Sequence, residues 1–294
     1  MAVIQRTLPA NWYTSQKYHR LERDAVFLRS WFFLGTINKF EDAQSVRYEI
    51  AQVRLTAKVE DLAGNTKTNV FSDVNNEELR SHQTRSGLVF TTISSAAPSF
   101  NEFFPGLEQL LESYDFTRLP HRRQLSYSGK YNWKTMIDGF QECLHCQYTH
   151  PGLAKLYPAD TYHVVNHENW SRHYSDPNRE DDGLLLYFFP CTTLNLYNGG
   201  MSSFRACPSP EVGACRIEFD YYNDNSPDDC EDYYKFVRQV ADEDGELCES
   251  AQANLEKGIY FQGCLNPVKE TGVSHYQNKV FRMVMTQHRS NVSS

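Results

Sequence analysis

Two periods of hydrophobic positions divide this chain. Over residues 10–34, Leu21, Ala25, Leu28 and Trp31 recur at helical spacing, with Arg20, Glu22, Arg23 and Asp24 on the other side, which predicts an amphipathic helix. From about Ser45 the period drops to two. Val46, Tyr48 and Ile50, then Val53, Leu55 and Ala57, alternate with polar residues and predict strands, with Ala63-Gly64-Asn65 as a turn signal. Asn69–Ser72 and Gly87–Ile93 predict further strands, and the polar stretch between them predicts a loop. Residues 95–106 hold two prolines among small polar residues and predict a linker, which divides the chain into 1–105 and 106–294.

The second part mixes both periods. Asn132 to about His145 predicts a helix, and Tyr162–Val165, Leu184–Phe189, Thr193–Tyr197, Met201–Arg205 and Cys215–Tyr222 predict strands of one antiparallel sheet. Glu231 to about Gly258 is the longest helical pattern. The fold class is therefore α+β, with no internal repeat and no low-complexity tract.

Composition narrows the function. The 294 residues suit about two domains, and 40% hydrophobic with 22% charged residues is globular rather than disordered. The formal charge of −8 argues against a nucleic-acid partner, because neutralising phosphates needs a basic surface. The longest apolar run, Leu184–Phe189, is far short of a membrane span, and the opening residues show neither a secretory core nor a clear transit peptide, so a cytoplasmic protein without membrane contact is expected. The eight cysteines begin only at Cys143, which predicts a reducing compartment and free thiols.

Chemistry concentrates in Asn132–Pro151. Glu142 and His145 are three apart and would share a helix face, and His150 follows just before Pro151. Two imidazoles so placed approach one point from two directions. A third ligand is offered by the late helix, where Asp244 interrupts the apolar stripe of Tyr233, Phe236, Val237, Val240, Leu247, Cys248, Ala251 and Leu255. A carboxylate on a core-facing stripe needs a partner or a cation. Gly245 beside it is unfavourable within a helix, a local rule broken as at functional sites. His145, His150 and Asp244 thus suit a two-histidine, one-carboxylate iron(II) site. Ordinary readings stay open: histidines five apart arise by chance, and Asp244 can pair with Arg238 or Lys257. Cys143-Leu-His-Cys146 has the spacing of a redox pair or half a zinc site, but there is neither a second such motif nor a βαβ pattern around it. His163 and His167 fall on a strand and its exit and read as pocket or surface residues.

The run NWKTMIDGFQECLHCQYTHPGL resembles the iron-binding motif of Rieske-type non-haem iron oxygenase large (alpha) subunits, a family that includes ring-hydroxylating dioxygenases and choline monooxygenase. The family motif reads roughly N-W-K, an acidic residue, E-C-Y-H-C and H-P. The resemblance implies His145 and His150 as iron ligands, and Glu142 as the catalytic acidic residue that links a neighbouring subunit's cluster to the iron. EDGELCESAQANLEKGIY resembles the family's E-D-x-x-x-C-E-x-x-Q helix, whose aspartate is the third ligand, here Asp244. LPANWYTSQKYHRLERDAVFLRSWFFLGTINKF is similar to the family's first helix, and LLLYFFPCTTLNLYNGGMSSFR to the pocket strands of the choline-monooxygenase-like branch, with Cys191 where Asn is common. The resemblance covers most of residues 8–264.

One part of the family pattern is missing. No cysteine precedes Cys143, so the C-x-H and C-x-x-H pairs that hold a [2Fe–2S] Rieske cluster have no counterpart, and the chain passes from FSDV almost directly to HQTRSGLVF. The resemblance then implies a reduced, Rieske-like N-terminal β domain and a C-terminal helix-grip domain with mononuclear Fe(II) and no cluster of its own. The expected activity is O2-dependent hydroxylation of a small organic substrate, with electrons from a reductase, a cluster-bearing partner chain, a diffusible reductant or the substrate. The alternatives are metal-dependent hydration or elimination, or a non-catalytic subunit, relic or incomplete gene product. Family members commonly form homotrimers. The branch suggests a choline-like quaternary amine, with Trp170, Tyr174, Tyr187 and Phe189 as candidate cage residues.

Overall fold

The computed structural model describes residues 5–62, 65–155, 157–175, 183–197, 199–224 and 231–293. The expected turn at Ala63-Gly64 lies outside them. The elements run α1 (Asn11–Thr14), α2 (Gln16–Ala25), β1 (Trp31–Thr36), α3 (Ile37–Ala43), β2 (Ser45–Ile50), β3 (Val53–Leu62), β4 (Asn65–Ser72), β5 (Glu78–Leu79), β6 (Ser81–Gln83), β7 (Leu88–Thr92), α4 (Phe100–Phe103) and α5 (Leu107–Leu111). They continue with β8 (His121–Gly129), α6 (Trp133–Phe140), α7 (Cys146–Thr149), β9 (His163–Asn166), β10 (Trp170–Tyr174), β11 (Leu184–Phe188), β12 (Thr192–Tyr197), β13 (Gly200–Pro208), β14 (Cys215–Asn223), α8 (Glu231–Glu256) and α9 (Thr271–Ser293).

The centre is a seven-stranded antiparallel sheet in the order β8-β14-β13-β12-β11-β10-β9. Because side chains alternate across a strand, its two faces meet different layers. One face meets the N-terminal sheets, β1-β7-β6 and β2-β3-β4-β5. There Phe188 packs on Phe33 (5.7 Å) and Phe90 (5.3 Å). Buried charges cross the same junction. Lys39 Nζ donates to Asp220 at 2.7 Å, and Arg205 donates to Glu218 and to the Phe33 carbonyl, each at 2.6 Å. The other face carries Phe219 and Tyr221 toward α8, with Tyr221 5.7 Å from Tyr234 and Tyr197 5.5 Å from Tyr233. This is the α+β arrangement, a sheet with a long helix against it, that the sequence led us to expect.

Several local expectations need correction. The helical period over residues 10–34 breaks after Ala25, and Trp31–Thr36 form a strand whose six residues are all buried. A strand covered on both sides is continuously apolar and mimics a helix stripe over one turn. Glu22, expected on the polar side, is buried and accepts from Lys134 Nζ at 2.8 Å and from the Trp133 indole at 3.1 Å. The stretch 95–106 is not an extended linker: Ser99 and Glu102 form a capping box for α4, and Phe100, Phe103 and Phe104 enter the core. The expected loop between β4 and β7 contains the short strands β5 and β6. The helix expected to reach His145 ends at Phe140.

Candidate metal centre and its cavity

Asn132 starts α6 by accepting from the Lys134 amide at 3.1 Å, and the backbone leaves the helix at Gln141. A disulfide between Cys143 and Cys146 closes the turn that follows. This corrects the expectation of free thiols for that pair; Cys191, Cys207, Cys215, Cys248 and Cys264 are unpaired, and Cys230 lies outside the described residues. His145 stands at the start of α7 and His150 at its end. Gly272, at the start of α9, comes so close to this turn that a Cβ there would sit 2.6 Å from the Gln141 carbonyl oxygen.

The two histidines face Asp244 of α8. One ligand atom from each of His145, His150 and Asp244 lies within 4.8 Å of the others. Asp244 Oδ1 is 2.9 Å from His150 Nε2 and 3.6 Å from His145 Nε2, and the two rings stand 5.4 Å apart at 81°. On the far side, His150 Nδ1 meets Glu243 Oε2 at 2.7 Å and His145 Nδ1 meets Glu142 Oε1. Each imidazole thus presents Nε2 to Asp244 and leans on a second carboxylate through Nδ1. Gln239 Nε2 in turn donates to Glu243 Oε1 at 2.8 Å. Glu142 also accepts from the Leu144 amide.

Electrostatics follow from that geometry. Burial disfavours charge on His145, but hydrogen bonds to Asp244 and Glu142 outweigh it and raise its pKa to about 10. The His150 pKa is likewise raised against burial, by Asp244 and Glu243. Burial works to raise the Asp244 pKa, and hydrogen bonds to the two histidines bring it below its ordinary value. Three carboxylates around two imidazoles form a locus of excess negative charge that a divalent cation would neutralise. The donor set of two imidazole nitrogens and a carboxylate oxygen fits iron(II). Gly245 is not required for space, since a Cβ there meets nothing within 4 Å.

Beside these residues lies a cavity of about 880 Å³. His145, His150, Asp244 and Glu142 line one part of it, and Tyr197, Phe204, Phe219, Tyr221, Tyr233 and Phe236 line another. Asp138 and Glu270 add carboxylates; among the described lining residues there is no lysine or arginine. Burial sets the phenols of Tyr197, Tyr221 and Tyr233 high, Tyr233 to about 12 against hydrogen bonds to Tyr197 and Ser202 that lower it, so the rings stay neutral.

The cage residues expected from sequence lie elsewhere. Trp170, Tyr174, Tyr187 and Phe189 are not among the described residues lining the cavity. Trp170 pairs with Phe188 on the face toward the N-terminal sheets, and its indole donates to the Pro105 carbonyl at 3.0 Å. Tyr174 stacks on His163 at 4.9 Å, and Phe189 is buried beneath Lys279. Tyr187 shares the cavity-facing side of β11 with Leu185, but Tyr276 of α9 covers it at 6.2 Å and its hydroxyl donates to the Pro190 carbonyl. The sequence reading missed α9, and with it the reason that end of the face is closed. It also missed Glu243 and the aromatic residues of β12–β14, although strand alternation puts Phe219 and Tyr221 on one face.

Residues 116–173 and 162–286 match the family described as ring hydroxylating alpha subunit (catalytic domain). The oxygenase subunit of carnitine monooxygenase from Acinetobacter pittii is 29% identical over 175 residues, 53% of this chain and 47% of that protein. Choline monooxygenase (chloroplastic) from Arabidopsis thaliana is 29% identical over 153 residues, 47% of this chain and 36% of that protein. The chain thus spans about half or less of these relatives' length. Among solved structures, the quaternary ammonium Rieske monooxygenase CntA in complex with an inhibitor superposes with a TM-score of 0.83 at 19% identity, over 95% of this chain and 96% of that one, a likeness of fold. The family match covers more than half of the chain and includes His145, His150 and Asp244: the chain belongs to the ring hydroxylating alpha-subunit family, through its catalytic domain.

Proposed function

We propose that His145, His150 and Asp244 hold one mononuclear iron(II), and that the chain oxidises a small quaternary amine with O2. The observation that carries this is the convergence of three ligand atoms within 4.8 Å at the wall of a cavity rich in aromatic rings and carboxylates. Iron held by two histidines and one carboxylate supplies open positions for O2 and substrate.

The chain's own residues do the rest. Glu142 and Glu243 hold the Nδ1 sides of His145 and His150, which leaves each Nε2 toward the ion. Glu142 acts in this way as a positioning residue. Tyr197, Tyr221, Tyr233, Phe204 and Phe219 offer ring faces, which attract a quaternary ammonium. Asp138 and Glu270 favour a cation in the same space. The apolar walls limit water around the reacting carbon. The proposal has the chain work without a cluster of its own, with a separate reductant, reductase or cluster-bearing partner as electron source and a homotrimer as one assembly to be tested. Among the described residues no helix is long and apolar enough to cross a membrane.

The test is anaerobic loading with Fe(II), then O2 uptake with ascorbate and a panel of choline, carnitine and glycine betaine. Loss of one amine matched by O2 consumption is expected. Metal-dependent conversion without O2, or no conversion of any amine, overturns the reading.

A further inference from the structure

Cys143 and Cys146 are joined in a disulfide, both line the cavity, and between them in sequence stands His145. Cys146 Sγ lies 4.0 Å from His145 Nε2, the ring nitrogen that faces Asp244. The other sulfurs near the core are of a different kind. Cys191, Cys207, Cys215 and Cys248 are unpaired and buried, and burial pushes their thiols up, Cys207 to about 12. Such thiols are poor nucleophiles and poor reductants. Cys143 and Cys146 are thus the only described pair set for two-electron sulfur chemistry, and they sit beside the ligand set. Within the 294 residues no cysteine precedes them.

Resting on the oxygenase reading above, the geometry points to Cys143 and Cys146, as a dithiol, as the immediate electron donor for turnover at the His145–His150–Asp244 site. The balance closes. A substrate C–H bond, one O2 and the two thiols give a C–OH bond, one water and the disulfide. The S–H bonds break and the S–S bond forms. Sulfur is oxidised by two electrons, and the two thiol protons leave in the water. The substrate carbon is oxidised by the inserted oxygen atom. The bonded pair is the product state of that half-reaction, and an external dithiol entering through the cavity returns it to the start by thiol–disulfide exchange.

The experiment is a single turnover. The full chain is reduced with dithiothreitol, freed of it anaerobically, loaded with Fe(II) and a substrate amine, and given O2 with no other reductant. Peptide mass spectrometry follows the Cys143–Cys146 bond while product is measured. The expected result is about one disulfide closed per product formed, at equal rates, and no closure at that rate when zinc replaces iron. In Cys143→Ala and Cys146→Ala, single-turnover product falls at least about tenfold, iron content is kept, and ascorbate restores product. A merely structural bond predicts instead that the variants lose iron and that ascorbate rescues nothing. Product from wild type with ascorbate but none from the reduced pair, or product formed while both thiols persist, overturns the proposal and leaves the oxygenase reading standing. No oxidation with any donor removes that reading, and this proposal with it.

Discussion

Replacing Glu243 by leucine removes the acceptor that holds His150 Nδ1 and leaves Asp244, the neighbouring residue, in place. The contact is 2.7 Å long, and Gln239 fixes the other carboxylate oxygen at 2.8 Å, so His150 is held in one ring orientation. Loss of such an outer partner costs a metal site about 10- to 100-fold in affinity. The Glu243 side chain is 26% exposed, so water partly replaces it and the lower end applies. We expect Glu243→Leu to weaken Fe(II) binding by about tenfold, roughly 1.4 kcal/mol. Glu243→Gln keeps a carbonyl acceptor and should stay within about threefold of wild type. The assay is anaerobic competition for Fe(II) against a chelator of known affinity, with thermal unfolding of the metal-free proteins alongside. Wild-type iron affinity in Glu243→Leu, with unfolding unchanged, would refute the reasoning that His150 needs this partner.

Glu22→Ala takes the paired carboxylate from the Lys134 ammonium, which has no exposure and keeps the Asn132 amide oxygen as acceptor, and should cost about 3–5 kcal/mol in urea unfolding; a loss below about 1 kcal/mol contradicts the pairing. Asp138 accepts from Tyr13, Tyr276 and Gln277, and burial raises its pKa from 3.8 to about 6 despite those bonds. The native state therefore keeps a proton that the unfolded chain has released, so this contribution to stability is complete below pH 3.8 and is lost as pH rises through about 6. The unfolding free energy of wild type relative to Asp138→Asn should fall by roughly 3 kcal/mol across that window, and a flat difference refutes it. Gly272→Ala places a Cβ 2.6 Å from the Gln141 carbonyl oxygen and should lower stability by about 1–3 kcal/mol by calorimetry, whereas an unchanged melting temperature means α9 does not press on the turn after α6.

The cluster proposed as the ligand set was legible because chemistry and pattern agreed there. His145 and His150 lie in a dense motif, and Asp244 interrupts an apolar stripe that the structure does place against the cavity. The period-two runs likewise became strands β2, β3 and β11–β14. What the sequence hid was tertiary. The all-buried β1 reads as part of a helix until its partner β7 is known. Glu22 reads as surface until Lys134 meets it across more than a hundred residues. Tyr187 faces the correct side of its strand, yet α9 decides that it never reaches the cavity. A local period fixes which residues share a face, but what covers that face depends on distant chain.

The most direct measurement is anomalous diffraction at the iron edge from crystals of the Fe(II)-loaded protein. One peak is expected, at bonding distance of roughly 2.0–2.3 Å from His145 Nε2, His150 Nε2 and an Asp244 carboxylate oxygen. A peak elsewhere, or full iron loading with those three side chains turned away from it, contradicts the account.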